Sequence, residues 1–441
     1  MALRDIYSRI FVTDKHLTNR DYERGRMFFL FEGSAAGGVF ALTSGAFLAG
    51  FAKYMGASDE FNGIIGAIPA LAGIIQMFSS LVFEKIIYRK FLVAISCLMY
   101  RVLLGLMLFI PMLVKDNGIR VLLLAVIYFL AYSIASFITP PASMWIADLS
   151  PDSIRGRYLA KKDAISLAFV TIVTLIMGWV MDYFKGINNE YGGFVLLGVI
   201  VIIMAFSNFI FLSSIHEPVI NRKTFDIKLK EVFTMAFRHK GFRKVITMSV
   251  MWNVAFQIGG PFITVYFVTD IKLSYSYLMV MGLVGSITRV LVARVWGKYA
   301  DKKSWFFVTK YSLVTLAVTH TLIGFVDIRT APILVPIINF LAGIAWAGIV
   351  ISMFNIQFLY APEHGKTVYL GTSAALGGLA GFLSALLGAF IIRIFSGVKV
   401  NLGIISIGNM QIAFILSGIL ILLTALYVSR FMEKSYGTVH D

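Results

Sequence analysis

The sequence is poor in charge and in cysteine. Only 14% of its 441 residues are charged, whereas 59% are hydrophobic, and the mean hydropathy is +0.83. One soluble core cannot enclose so many apolar side chains, which excludes a water-soluble globular protein. The single cysteine, Cys97, excludes disulfides and cysteine-based metal clusters within one chain. We expect Cys97 to be a small buried core residue.

Catalytic signatures are also missing. The sequence contains neither a His-Glu-x-x-His nor a Gly-x-Ser-x-Gly motif, and its six histidines are scattered. These absences argue against a membrane-bound metalloprotease or serine hydrolase. We therefore expect no enzymatic activity, no metal ion and no cofactor.

Long apolar runs are what the sequence does have. A membrane-spanning helix needs about 20 residues, and twelve charge-poor runs of this length occur, six on each side of one polar loop. The runs are continuous rather than alternating, which favours helices over a β-barrel. The expected fold is an all-α integral membrane protein with two six-helix bundles. The expected segments are 1–26 (polar N-terminal segment), 27–214 (first bundle), 215–243 (linker), 244–432 (second bundle) and 433–441 (tail).

Positive charge is concentrated on one side of these helices. The 39 Lys and Arg lie mostly before helix one, between helices two and three, four and five, and eight and nine, and in the central loop. This asymmetry predicts a multi-pass protein of the cytoplasmic membrane with both termini inside. Attraction to anionic membrane lipids explains the net charge of +16, so no nucleic-acid partner is expected. Residues 1–26 lack an apolar run and are not expected to be a signal peptide.

The two halves share a sequence pattern. A shift of 211 residues maps Pro151 onto Pro362, and Tyr158 onto Tyr369. A parallel internal repeat in a hydrophobic chain is typical of many secondary transporters. The halves are not equivalent, because Asp148 has a leucine at the corresponding position.

Two opposite charges are expected deep in the first half. Glu32 lies about 9 Å beyond Arg26 along helix one, and Arg101 lies about 16 Å beyond Lys90 along helix three, at 1.5 Å per residue. A buried unpaired charge is unfavourable, so we predict that Glu32 and Arg101 pair. The pair either fixes the packing of helices one and three or couples transport to protons.

A second charged cluster is expected at the cytoplasmic side. Asp148 ends helix four beside Arg155 and Arg157, and Glu84 with Arg89 occurs in the loop after helix two. A cluster formed in only one conformation can bias which conformation is populated. We predict that Glu84 or Asp148 bonds one of these arginines when an inner gate is closed.

Taken together, these features resemble the major facilitator superfamily of secondary transporters. The family's loop signature Gly-x-x-x-Asp-Arg-x-Gly-Arg-Arg stands in degenerate form at Gly297, Asp301, Lys302 and Lys303, and more weakly at Ser80–Lys85. The Pro-x-x-x-Arg-Gly-Arg loop at 151–157 also looks like the family's connection between helices four and five. The resemblance implies alternating access around a midplane site lined by helices one, four, seven and ten. It adds Gly297, Asp301 and Lys302 to the expected cytoplasmic gate.

The resemblance points to a transporter of a small organic solute that works as a monomer. The leading hypothesis is proton-coupled export of an amphiphilic or drug-like compound, because the presumed cavity helices are aromatic and apolar. Uptake of an anionic metabolite, with Arg101 as the anion-binding residue, is the alternative, and a transporter-like sensor or scaffold is a third. The expected substrate-binding residues are Phe40, Ser44, Tyr132, Ser136, Trp252, Asn253, Gln257, Trp346 and Asn355.

Overall fold

The computed structural model describes residues 17–83, 86, 89–218, 237–362, 366–398, 400–402 and 405–433. Membrane helices dominate these residues, as predicted. The helices of the first half are α1 (Asn19–Leu42, continuing as Gly45–Tyr54), α2 (Asp59–Ala72, a 3-10 turn Gly73–Ile75, then Gln76–Phe83), α3 (Lys90–Leu106, a 3-10 turn Met107–Phe109, then Ile110–Leu113), α4 (Asn117–Asp148), α5 (Asp152–Gly186) and α6 (Glu190–Ser213).

The second half repeats this plan. Its helices are α7 (Lys240–Gln257, continuing as Gly260–Thr269), α8 (Tyr275–Lys302), α9 (Trp305–Ile323), α10 (Ala331–Tyr360), α11 (Lys366–Ile394) and α12 (Asn409–Tyr427, followed by a π-helical turn Val428–Glu433). A short antiparallel hairpin, β1 (Val400–Leu402) with β2 (Ile405–Ile407), joins α11 to α12.

Eleven helices among the described residues are long and apolar enough to cross a membrane. The twelfth predicted helix, α7, is present but broken into two pieces of 18 and 10 residues. The break falls at Ile258–Gly259, where a Cβ on Gly259 would lie 3.0 Å from the backbone oxygen of Ala413 in α12. Gly259, Gly260 and Pro261 interrupt the helix here, since Pro261 has no N–H to donate, and the missing Cβ of Gly259 permits the close approach of α12.

Helix α1 also differs from the expectation in its bounds. It begins at Asn19 rather than near Arg26, because Thr18 and Asp21 form a capping box that satisfies the first backbone N–H groups. It is interrupted after Leu42, where the hydroxyl of Thr43 bonds the Val39 carbonyl at 2.7 Å and Gly45 adopts a φ of +56°. The break leaves Phe40 57% exposed.

The described residues divide into two compact units. The first contains α1, the last segment of α2, and α3–α6. Its core includes Phe29, Val93, Trp145 and Leu212, together with Cys97, which is 4% exposed, as predicted for a core residue. Helix α5 packs parallel to α1 and forms two hydrogen bonds with it. The Ser166 hydroxyl donates to the Gly33 carbonyl at 3.1 Å, and the Tyr158 hydroxyl donates to the Arg26 carbonyl at 2.8 Å.

The second unit contains α7–α12 and, in addition, residues 57–74 of α2. This segment packs on α11 and on the second piece of α7. A Cβ on Gly63 would lie 2.0 Å from the Phe262 ring, and a Cβ on Gly378 would lie 2.4 Å from the Ala70 carbonyl oxygen. Only glycine permits these two approaches without displacing a neighbouring ring or backbone.

Candidate functional site

The first unit holds a buried ion pair between α1 and α3. Nη2 of Arg101 lies 3.1 Å from Oε1 of Glu32, and the side chains are 3% and 14% exposed respectively. The sequence-based prediction that these two residues pair is confirmed. The Arg101 guanidinium also lies 4.7 Å from the centroid of the Tyr100 ring, an arrangement that stabilises a cation in apolar surroundings.

Asn208 of α6 joins both members of the pair. Its Nδ2 donates to Oε1 of Glu32 at 3.1 Å and to the Glu32 backbone carbonyl at 3.0 Å, while its Oδ1 accepts from Nη1 of Arg101. Asn208 is fully buried. Sequence reasoning missed this residue, although a lone amide within the apolar run of helix six was a usable signal. The three side chains form a closed hydrogen-bonded ring across α1, α3 and α6.

Lys162 of α5 packs against the adjacent residue of α1, Gly33. A Cβ on Gly33 would be 2.8 Å from Nζ of Lys162 in α5, so the ammonium group rests against the residue that follows Glu32. The Nε atom of Arg101 is buried and has no hydrogen-bond partner among the described residues. Glu32 is therefore a buried carboxylate whose ionic partner is Arg101.

Other predicted site residues of the first half lie at the α1 break and in the middle of α4. Phe40 is exposed, and the Ser44 hydroxyl bonds the Phe40 carbonyl at 2.7 Å. The Tyr132 ring centroid lies 4.7 Å from that of Tyr128, and its buried hydroxyl has no partner among the described residues. Ser136, one turn further, is partly buried. An orphaned buried hydroxyl requires a partner, which a ligand or water can supply.

In the second unit, aromatic side chains of α7 and α10 form a compact cluster. The Trp252 ring stacks on Phe256 at 5.3 Å, and Trp346 meets both rings edge-on, at 5.9 Å from Trp252 and 5.5 Å from Phe256. All three side chains are only partly buried. Sequence reasoning named Trp252 and Trp346 but missed Phe256, which lies one turn from Trp252 on α7. Such a cluster offers a flat apolar surface to a ligand.

The predicted amides of the second half bond their own helices. Nδ2 of Asn253 donates to the Ser249 carbonyl at 2.8 Å, and Nδ2 of Asn355 donates to the Ile351 carbonyl at 2.7 Å. A Cβ on Gly381 of α11 would lie 3.0 Å from Gln257 Cγ and 3.2 Å from Asn253 Cβ. Asn253 and Gln257 therefore face the contact of α7 with α11, where they contribute to packing.

A buried histidine lies behind the aromatic cluster. Nδ1 of His320 in α9 is 2.8 Å from the Ser417 hydroxyl, which donates to the Ala255 carbonyl at 2.6 Å. Because the single hydroxyl proton of Ser417 is used on Ala255, Nδ1 of His320 must be the protonated nitrogen of the neutral ring. The His320 ring lies 5.6 Å from Phe256. This relay connects α9, α12 and α7 and fixes the position of the cluster.

The residues predicted for the cytoplasmic gate are only partly described. Glu84 lies outside the described residues, and so does the side chain of Arg155. Asp148 ends α4, and Arg157 is exposed near the start of α5. Gly297 lies within the last turns of α8, where Asp301 and Lys302 are exposed. The gate therefore stays a prediction.

Arg89, a residue of the predicted gate, is hydrogen-bonded to Glu217, which the sequence analysis placed in the linker. Its backbone N–H donates to Oε2 of Glu217 at 2.8 Å, and the Lys90 N–H donates to the same oxygen at 2.9 Å. Glu217 thus accepts hydrogen bonds from two N–H groups at the start of α3. Burial raises the pKa of the Glu217 carboxyl above its usual value, although these two donors oppose the rise.

Comparison with known proteins supports the interpretation of this fold. The chain aligns over 94% of its length with the nucleoside transporter NupG, covering 100% of that chain at 12% identity and a TM-score of 0.63. A D-xylose-proton symporter gives 14% identity, 95% and 98% coverage, and a TM-score of 0.63. The inward-open xylose transporter XylE from E. coli gives 15% identity, 93% and 95% coverage, and a TM-score of 0.61. At these identities the likeness shows the fold alone.

Sequence comparison identifies the family. None of the curated proteins compared matches this chain in sequence. A family model described as Major Facilitator Superfamily, however, matches residues 29–385, which is most of the chain. The chain is therefore a multi-pass membrane protein, and it belongs to the major facilitator superfamily of transporters.

Proposed function

We propose that this protein is a proton-coupled secondary transporter of a small organic solute, in which Glu32 carries the coupling proton. The ring formed by Glu32, Arg101 and Asn208 is the observation that supports this most strongly. In its charged form Glu32 is stabilised by Nη2 of Arg101 and Nδ2 of Asn208. A conformation that separates α1 from α3 would remove the arginine and favour the protonated acid.

The ring links proton binding to helix movement. Its three residues lie on three different helices, so the charged state of Glu32 favours the arrangement in which α1, α3 and α6 are packed together. Protonation weakens two of the hydrogen bonds that hold this arrangement, because a neutral carboxyl is a poorer acceptor. A change in protonation then shifts the population of the two conformations by the difference in these bond energies.

In the second unit, the aromatic surface formed by Trp252, Phe256 and Trp346 is the proposed solute-binding surface; in the first unit, the buried hydroxyl of Tyr132 is a separate candidate. Phe40, Ser44 and Ser136 remain candidates at the α1 break and on α4. Flat aromatic side chains bind a ring or another apolar surface, and a buried hydroxyl can bond a polar group of a ligand. This composition suits an amphiphilic or drug-like compound, and export of such a compound is the first direction that we propose.

Uptake is the second candidate, because a D-xylose-proton symporter shares the fold. We propose the same membrane orientation for both directions: cytoplasmic termini in the cytoplasmic membrane, with the basic loops inside and anionic lipid bound to them. The gate of Glu84, Arg89, Asp148, Arg155, Arg157, Gly297, Asp301 and Lys302 belongs to that inner side. The transporter is proposed to work as a monomer.

Flux in proteoliposomes tests the coupling role. A solute found by a thermal-shift screen of the purified protein is loaded, a pH gradient is imposed in each direction, and the initial rate is compared with solute exchange at equal pH. Glu32→Gln should abolish gradient-driven flux while preserving exchange, because a glutamine cannot carry the proton. Glu23→Gln, which changes an exposed carboxylate on the same helix, is the matched control and should transport normally.

Each outcome has a clear meaning. Full driven flux in Glu32→Gln contradicts the coupling role of this residue. The direction of the gradient that drives accumulation separates export from uptake. Solute binding without flux in the wild type would identify a sensor or scaffold instead of a transporter.

A further inference from the structure

Arg289 is an exposed arginine in the middle of a membrane helix. It lies 13 residues from Lys302 and 14 residues from Tyr275, the two ends of α8, which is about 20 Å from either end at 1.5 Å per residue. No hydrogen bond or ion pair of its guanidinium occurs among the residues that the structure describes. An arginine at this depth is unfavourable in lipid, so its surroundings require an explanation.

Helix α8 has three faces of different character. Gly285, Thr288 and Trp296 face α10: a Cβ on Gly343 would lie 2.5 Å from the Gly285 carbonyl oxygen, and Trp296 Nε1 donates to the Ile344 carbonyl at 2.9 Å. Ile287 and Leu291 lie on a second face and are 51% and 67% exposed, as expected for side chains in lipid.

The third face carries Arg289. It is formed by Gly282, Ser286, Arg289 and Ala293, which follow one another at spacings of four, three and four residues. None of these residues is buried, and apart from the arginine all are small. Trp296, seven residues after Arg289, borders this face but is bonded to α10. The remaining small residues suit the face to a water-filled cavity.

Snorkelling does not account for Arg289. Arg294 lies on the apolar face with Ile287 and Leu291, but it is only four residues, or about 6 Å, from Lys298 and reaches the membrane surface. Arg289 is about 14 Å from Lys298 on the same scale, which is beyond the reach of its side chain. The two arginines therefore have different environments within one helix.

Arg289 lies near the depth of the aromatic cluster. Thr288, its neighbour in sequence, packs on Gly343 of α10, and Trp346 follows Gly343 by about one turn. Arg101, the residue that the sequence suggested for anion binding, is already engaged by Glu32 and Asn208. Among the described arginines of the membrane core, Arg289 is the one whose guanidinium remains available.

We propose that Arg289 binds an oxyanion, a carboxylate or phosphate, of the transported solute. The planar guanidinium binds such a group through two parallel hydrogen bonds, while the Trp252, Phe256 and Trp346 surface contacts an attached ring. This inference rests on the proposed transport function and narrows its substrate to ring-bearing organic anions. It moves the anion site from Arg101 in the first half to α8 in the second.

Thiol labelling tests whether the Arg289 face is wet, without knowledge of the solute. Cys97 is the chain's only cysteine, so Cys97→Ala gives a cysteine-free background. In lipid nanodiscs, Arg289→Cys should react with a sulfonate-bearing methanethiosulfonate, because thiolates form in water. Leu291→Cys, on the apolar face, should remain unmodified. If the cysteine at position 289 is modified no more than the cysteine at position 291, the proposal is overturned.

Binding tests the anion class with matched pairs of probes. Melting temperatures of the purified protein are measured with benzoate against benzamide, nicotinate against nicotinamide, and phenyl phosphate against phenol. At least one acid should stabilise the wild type more than its neutral partner. Arg289→Gln should weaken its binding by about 10- to 100-fold, the effect of losing hydrogen bonds to a charged group, and Arg289→Lys should weaken it less.

The control and the contrary results separate this inference from the proposed function. Arg294→Gln should retain full acid binding. Equal stabilisation by every acid and its neutral partner, or unchanged acid binding in Arg289→Gln, overturns the anion site. Neither result affects the coupling role of Glu32, which gradient-driven flux measures separately.

Discussion

The carboxamide of Asn208 donates from Nδ2 to Oε1 of Glu32 at 3.1 Å while its Oδ1 accepts from Nη1 of Arg101. One amide therefore satisfies both charges of a buried pair. A two-residue pair holds its geometry only by mutual attraction, whereas a third residue on another helix fixes the relative positions of both partners. The coupling unit is for this reason better regarded as three residues on α1, α3 and α6.

Asn208→Leu should lower stability and shift the pH dependence of driven transport. Leucine has a similar volume but leaves one acceptor of Glu32 and one donor of Arg101 unsatisfied, at about 1–3 kcal/mol each. The carboxylate loses a hydrogen-bond donor, so we expect the pH profile of driven flux to differ from that of the wild type. Melting temperature and a pH profile of flux check this.

Ser207→Ala is the control for that substitution. The Ser207 hydroxyl bonds only the Ile203 carbonyl of its own helix, at 2.9 Å. A pH profile of Asn208→Leu that coincides with those of Ser207→Ala and the wild type would restrict Asn208 to a packing role.

Removing one member of the ion pair should destabilise the protein more than removing both. Glu32→Leu leaves Arg101 buried at 3% exposure without its counter-ion, and Arg101→Met leaves Glu32 in the same position. Each single variant should lose about 3–5 kcal/mol. The double variant should recover much of this loss, because no buried charge is left. A double-mutant cycle from denaturation midpoints measures the coupling, and additive losses would show that the two side chains do not depend on each other.

The pairing of Glu32 with Arg101 was predictable because a helix rises by a fixed distance per residue, so counting from the basic ends gave the two charges compatible heights. The direction of a side chain around its helix was not predictable in the same way. Asn253 and Gln257 have the right depth, but they face Gly381 of α11. Asn208 was missed because its importance depends on the phase of α6 relative to α1 and α3.

The helix breaks show a second limit of the sequence. At the interruption of α7, Gly259 packs closely on Ala413, which lies more than 150 residues away in the chain. The local sequence Gly259-Gly260-Pro261 does signal a break, because Pro261 has no N–H to donate and favours the start of a helix; it does not show which helix packs there. Likewise, the bond from the Arg89 N–H to Glu217 was not predicted. The charged residues around Glu217 in the sequence had placed it in the linker.

Stability should fall with rising pH through the titration of Glu217. Its folded pKa lies above the ordinary value of 4.5 because the carboxyl is buried. The folded state therefore binds the proton more tightly than the unfolded state. The resulting stabilisation is complete below pH 4.5 and is lost as the pH rises through the folded pKa.

Glu217→Gln should flatten this part of the profile. The glutamine oxygen can still accept from the Arg89 and Lys90 N–H groups, but it does not titrate. Melting temperatures between pH 4 and pH 8, roughly the span over which a raised carboxyl titrates, check the difference. Parallel profiles of the wild type and the variant would show that another group controls acid stability.

Trp346→Ala should weaken solute binding. The indole packs edge-on against Trp252 and Phe256, so its removal deletes one wall of the aromatic surface and loosens the other two rings. Aromatic pairs contribute about 0.5–1.5 kcal/mol beyond the burial of their area, and the lost contact area adds to this. We therefore expect the dissociation constant of a bound ring-bearing solute to rise by about tenfold or more.

Trp179→Ala, which removes a tryptophan that is 61% exposed on α5, is the control and should leave affinity unchanged. Calorimetric titration with the solute identified by thermal shift measures the dissociation constants of both variants. Wild-type affinity in Trp346→Ala would show that the solute binds away from this cluster.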